Sequence, residues 1–103
     1  MTDPVSHYRL EFPEYLAGYE FETEAKGYLP GVRISTEEAT FELTVHDPMR
    51  LTQDIAAEFT VSGYATFSNL LVVPKVTRDE VARAVRDLAK AGFRGLRPDV
   101  QAR

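Results

Sequence analysis

The spacing of apolar residues along this chain changes at Asp47-Pro48, and that change limits the architecture more than any other feature. Before it, apolar side chains recur at every second residue; in the segment that follows it, they recur at every third or fourth. A period of two sends alternate side chains to opposite faces of a strand, whereas a period near 3.6 gathers them in a stripe along a helix. A chain that carries both must stack helices on a sheet, because neither element buries its apolar side alone.

The first half reads as strands. Tyr8-Arg9-Leu10-Glu11-Phe12 alternates apolar with charged and stops at Pro13, which has no amide to give to a ladder. The alternation returns from Tyr19 to Ala25, where Glu20, Glu22 and Glu24 take the polar positions, and this predicts a second strand. Lys26 to Gly31 holds two glycines and a proline and reads as a turn. Val32 to Ser35 is a short strand, and Thr40 to Val45 alternates again with Phe41, Leu43 and Val45 on one face.

At the change of period, Asp47 offers a carboxylate to the orphan amides of a helix, and Pro48 loses nothing at the first helical position. Leu51, Ile55 and Phe59, with Ala56 beside them, form a stripe expected to face the core, and Gly63 ends the helix. Leu70-Leu71-Val72-Val73 lacks alternation, as a strand covered on both faces does, and this predicts a central position in the sheet. Thr77 and Glu80 have the spacing of a capping box. The helix they open turns Val81, Ala84, Val85 and Leu88 inward, with Gly92 as its left-handed terminator and Phe93 folding back.

The order that results is β-β-β-β-α-β-α. It predicts an α+β two-layer sandwich, with a mixed, mostly antiparallel sheet of about five strands and two helices on one face. The stretch from Phe41 to Val73 is expected to form a parallel crossover. The length, 103 residues, suits a single domain over 1–103, with loose tails at 1–4 and 98–103.

Composition closes off several chemistries. The chain has no cysteine, hence no disulfide, thiolate nucleophile or cysteine-ligated metal. Its longest apolar run is far too short to cross a bilayer, and its first residues are acidic where a secretory signal would be basic, so a cytoplasmic location is expected. Charge is unevenly spread. Residues 1–60 carry four cations against twelve acids, and residues 61–103 carry eight cations against four acids, within a net charge of −4. The chain can attract itself, or it can offer two surfaces of opposite sign.

Four groups of residues bear on function. Glu20, Glu22 and Glu24, joined by Glu42 and Glu11, would share one face of a sheet, with Arg9 and Arg33 as cross-strand partners. That face is either a solvated surface or a docking site for a basic protein partner. The second group, Arg83, Arg86, Lys90 and Arg94, lines one side of the last helix with Arg97 beyond it, as amphipathic helices often do; nucleic-acid contact there is a weaker reading. The third, His46-Asp47, suggests a metal or general base, but His7 is the only other histidine and Asp47 already serves as a cap. The last, Tyr64 to Asn69, with Tyr15 and Tyr28, offers aromatic and hydroxyl groups for a small-molecule pocket.

The reading favoured is a small acidic interaction module (an inhibitor, adaptor or regulatory subunit) that binds a basic partner through Glu20, Glu22, Glu24 and Glu42. It expects no cofactor, no metal and no catalytic residue, and leans away from an enzyme. A homodimer seam at Leu70, Leu71, Val72 and Val73 is a further expectation, since an apolar strand beside glutamates would need a cover.

Overall fold

The computed structural model describes residues 3–99. It is an α+β fold with a four-stranded mixed sheet and three α-helices. The elements are β1 (Arg9–Glu11), a 3-10 turn (Glu14–Leu16), α1 (Glu20–Lys26), β2 (Tyr28–Ser35), β3 (Thr40–His46), α2 (Pro48–Ser62), β4 (Leu70–Val72) and α3 (Arg78–Lys90). The strands lie in chain order; β1, β2 and β3 run antiparallel, and β4 joins β3 in parallel across α2, as the crossover reading expected.

The core lies on one sheet face, between Leu29, Val32, Ile34, Phe41, Leu43 and Val45 of the strands and Val81, Val85 and Ala89 of α3. Leu29 and Val32 are three residues apart, so a regular strand would send them to opposite faces. A bulge between them solves this: they pair with Val45 and Leu43, which are two apart. Gly31 sits in the left-handed region (φ 81°), and the extra residue resets the phase so that both side chains are buried. Pro30 fits at this irregularity, where the ladder is already interrupted. The segment expected as a turn from Lys26 to Gly31 is therefore largely strand.

Both longer helices begin where their caps predict. Asp47 Oδ1 accepts from the Arg50 amide at 2.8 Å, and Thr77 Oγ1 accepts from the Glu80 amide at 3.2 Å. Gly63 (φ 82°) closes α2. Beyond α3, Gly92 (φ 67°) turns the chain so that Phe93 packs on Tyr8 and Phe41, each ring centroid 5.6 Å away. The chain then runs back along β3, where the Asp99 amide donates to the Thr40 carbonyl at 2.8 Å and Asn69 bonds the backbone of Arg97. Pro98 and Asp99, expected in a tail, belong to this return; residues 1–2 and 100–103 of the expected tails lie outside the described residues.

Four expectations are corrected. Residues 20–26 are helix, so the sheet has four strands rather than five and the helices number three rather than two. Alternation marks a strand only if one face is buried, and here Thr23 alone is buried while Phe21 stands in solvent. Glu, Ala and Lys favour helix over strand. Acidic residues in the first turn and Lys26 in the last suit the helix dipole, and Gly27 (φ 69°) caps it with bonds to Thr23 and Glu24 carbonyls.

The helices also do not share a face. Val45 points into the core under α3; its neighbour His46 points the other way and bonds Asp54 of α2. α2 thus lies against the opposite face, and the two-layer arrangement fails there. Its stripe is not core: α2 buries no residue, and Phe59 is 56 % exposed. Finally, β4 is an edge strand of three residues, not a central one. Leu71 packs on the core, Val72 faces out, and Val73 and Val76 are buried on the way to α3, which explains a run without alternation.

Candidate functional site

The four glutamates expected on one sheet face are separated. Glu20, Glu22 and Glu24 sit on α1, where steps of two residues turn the side chain by about 200° each. Glu42 stays on β3, exposed on the face away from the core, paired with Arg33 at 3.2 Å; Arg33 also holds Asp99 at 3.2 Å and stands opposite Glu11 in the register. The partner role expected for Arg33 is met, and that face carries mixed charge instead of an acidic carpet.

What α1 builds instead is a groove. Glu20 reaches Arg78 at the start of α3 (3.2 Å) and so ties the two helices together. Its carboxyl is held below the usual range by its own backbone amide and by the Arg78 bond, with a further bond from the Gly18 amide. Arg78 is occupied twice, since its guanidinium also lies 5.1 Å from the centroid of the Phe12 ring. Between the helices runs a cleft of about 440 Å³, with the buried side chains of Leu16, Leu29 and Val76 as its floor. Phe21, 81 % exposed, forms a lip, and Glu20, Glu24 and Asp79 complete the rim. Among the described residues, Glu24 and Asp79 enter no ion pair, so the rim presents free negative charge over an apolar floor.

The His46 group is assembled but closed. His46 Nε2 lies 2.8 Å from Asp54 Oδ2, and Arg50 Nε donates to Asp54 Oδ1 at 3.0 Å. The Arg50 guanidinium covers the Tyr28 ring at 4.4 Å, and the rings of Tyr28 and Phe67 meet His46 edge-on at 5.1 and 5.9 Å. An ionised carboxylate only accepts, so Nε2 carries the hydrogen that it gives to Asp54. Burial pushes the Asp54 carboxyl up, but the bonds from Arg50 and His46 and their charge outweigh it and hold the group below its usual range. His46 is 1 % exposed, which shuts it off from any substrate. The network does a structural job: it fastens the first half of α2 to the sheet. Its partner is Asp54, eight residues on, rather than the neighbouring Asp47 singled out in the sequence; the i, i+4 pair Arg50–Asp54 was the one available signal.

The remaining candidates are placed as follows. Tyr64 is exposed beyond α2, while Phe67 turns onto His46. On α3, Arg83 pairs with Glu80 at 2.6 Å and Lys90 with Asp87 at 3.4 Å, so half of the basic stripe is answered on its own helix. No group of three potential ligands gathers for a metal among the described residues, and no helix there is long and apolar enough to cross a membrane. Comparison with protein-family models, curated proteins and solved structures returned no match.

Proposed function

We propose that this chain is a protein-interaction module, and that the groove between α1 and the start of α3 receives a short basic segment of a partner protein. The observation that carries the reading is a cleft that the fold leaves open between α1 and the start of α3, with the exposed Phe21 as its apolar wall and Leu16, Leu29 and Val76 packed behind it. An apolar side chain of the partner fills the cleft, and an adjacent Arg or Lys meets Glu24 and Asp79. Charge complementarity selects that occupant, because Glu20, Glu24 and Asp79 line the groove and, among the described residues, its cation Arg78 is already bound by Glu20. Apolar lining with a few convergent polar groups is also what binding clefts share.

The partner-binding set changes accordingly. Glu24, Glu20 and Asp79 serve the groove, Glu22 lies outside its lining, and Glu42 belongs to the other side of the sheet. The test is fluorescence anisotropy with a labelled tetrapeptide, Arg-Leu-Trp-Arg, blocked at both ends. A dissociation constant of about 10–100 μM is expected, weakened at least about tenfold by Glu24→Lys and by added salt, and unchanged by Glu42→Gln. Equal affinity for Glu24→Lys and the native chain would remove the groove from consideration.

A further inference from the structure

We infer that β1 is the seam of a weak homodimer, paired antiparallel with β1 of a second copy of this chain across a two-fold axis at Leu10. The inference does not rest on the groove, which none of residues 8–11 lines. β1 is an edge of the sheet, with β2 on one side and, among the described residues, no strand on the other. Successive residues of a strand turn their amides and carbonyls to alternate edges. The Thr44 amide bonds the Asn69 carbonyl, so even-numbered residues of β3 serve β4 and odd-numbered ones serve β2. Phe41 is therefore bonded to its partner Ile34, and Arg33 and Ser35, on either side of Ile34, turn to β1. Their partners there are Glu11 and Arg9. The amide and carbonyl of Leu10 thus point off the edge, and among the described residues no turn, loop or cap bond reaches them.

The side chains along that edge are also partly bare. Tyr8, Leu10 and Phe12 pack against the core only in part, whereas Val32 and Ile34 of the adjacent strand are 0 % exposed. Residues directly opposite in an antiparallel pair share a face, so an axis through Leu10 normal to the sheet keeps both cores on one side. Leu10 then lies against Leu10 of the second copy, and Tyr8 against Phe12 of that copy. The two four-stranded sheets become one of eight strands.

Charge selects a second copy as the occupant and fixes the register. Arg9 and Glu11 stand on the other face, with side chains 75 % and 48 % exposed, and lie 3.7 Å apart along the strand. With the axis at Leu10, Arg9 faces Glu11 of the second copy and Glu11 faces Arg9 of that copy, so one exposed pair becomes a ring of alternating charges. With the axis moved to Arg9 or to Glu11, like charges would meet. Short charged edges commonly keep strands apart, but repulsion needs like charges to face each other, and here opposite ones do. β4, the other edge, carries Leu70, Leu71 and Val72 and no charge by which a partner is chosen.

About five residues a side make a seam below standard size, so a dissociation constant of about 10–100 μM is expected. In sedimentation equilibrium at millimolar loading, the full native chain is expected to approach about 23 kDa, twice its 11.6 kDa mass. Arg9→Glu sets acids against acids and Glu11→Arg sets cations against cations. Each variant alone is expected to dimerise at least about tenfold more weakly, with an unchanged far-UV spectrum. Mixed in equal amounts, the two variants restore unlike pairs and are expected to dimerise with each other as the native chain does. The Leu10 amide of the native chain is expected to exchange with deuterium more slowly as concentration rises, because only the dimer gives it an acceptor. A native chain that stays monomeric, a single variant that dimerises as the native chain does, a mixture that stays monomeric, or Leu10 exchange independent of concentration would each overturn the inference.

Discussion

Gly27 shows how much a single position can demand. Its φ of 69° favours glycine, and a β-carbon there would also strike the carboxylate of Asp47, the cap of α2. Gly63 has a similar φ (82°) but open space around it. Gly27→Ala is therefore expected to destabilise by about 2–3 kcal/mol and Gly63→Ala by only about 1 kcal/mol, as read from urea midpoints at constant m. Asp54 makes a second prediction. Its folded carboxyl titrates below the ordinary range, so the unfolded chain takes up the proton first as pH falls. The stability that Asp54 supplies is complete above the ordinary carboxylate range and is lost as pH drops through the lowered folded value. Asp54→Ala also strips His46 Nε2 of its partner inside the protein, at an expected cost of about 2–3 kcal/mol near neutral pH. The difference between variant and native, followed by thermal melts, should shrink on acidification; a difference constant from pH 7 to 3 would contradict this assignment. At this scale the caps were legible: Asp47, Thr77, Gly63 and Gly92 each act on their immediate neighbours. His46 with Asp54 was not, because that bond exists only once α2 is folded back across the sheet.

Among the elements, legibility followed burial. Phe41, Leu43 and Val45 alternate because one face of β3 is packed along its length, while the other holds half-buried Thr40 and Thr44 and exposed Glu42 until α2 covers His46, and the pattern was readable for that reason. Tyr19 to Ala25 alternates with no face buried, so its pattern carried no information, and the helix-forming glutamates and the Gly27 terminus decided the outcome. Backbone carbon chemical shifts of residues 20–26 are expected in the helical range; extended values there would refute α1 and with it the groove. For α2 the stripe of Leu51, Ile55 and Phe59 was correct as a helix signal, but a stripe does not say what it faces. α3 is the better packed helix, and Thr77→Ala, which frees the Glu80 amide, is expected to cost about 1 kcal/mol in a denaturation midpoint.

Across the whole molecule, the uneven charge of the sequence is answered only in part by internal pairs. Glu20 with Arg78 joins the acidic and basic halves, yet among the described residues Glu24 and Asp79 enter no ion pair beside the cleft. The fold class was legible from the two periodicities. The placement of the helices on opposite faces was not, because it depends on a parallel crossover and on which strand ends at the edge. The candidate site was legible in its residue type and segment, but not in its shape, since the strand reading spread the glutamates over a sheet that α1 does not join. The claim at the centre of this account is the cleft, and an amide chemical-shift map during titration with the Arg-Leu-Trp-Arg peptide addresses it most directly. Shifts that saturate together at Leu16, residues 20–29 and residues 76–79, with the amides of β3 and α2 unmoved, are the predicted result. Shifts centred on Arg33 and Glu42, or none at all, would contradict it.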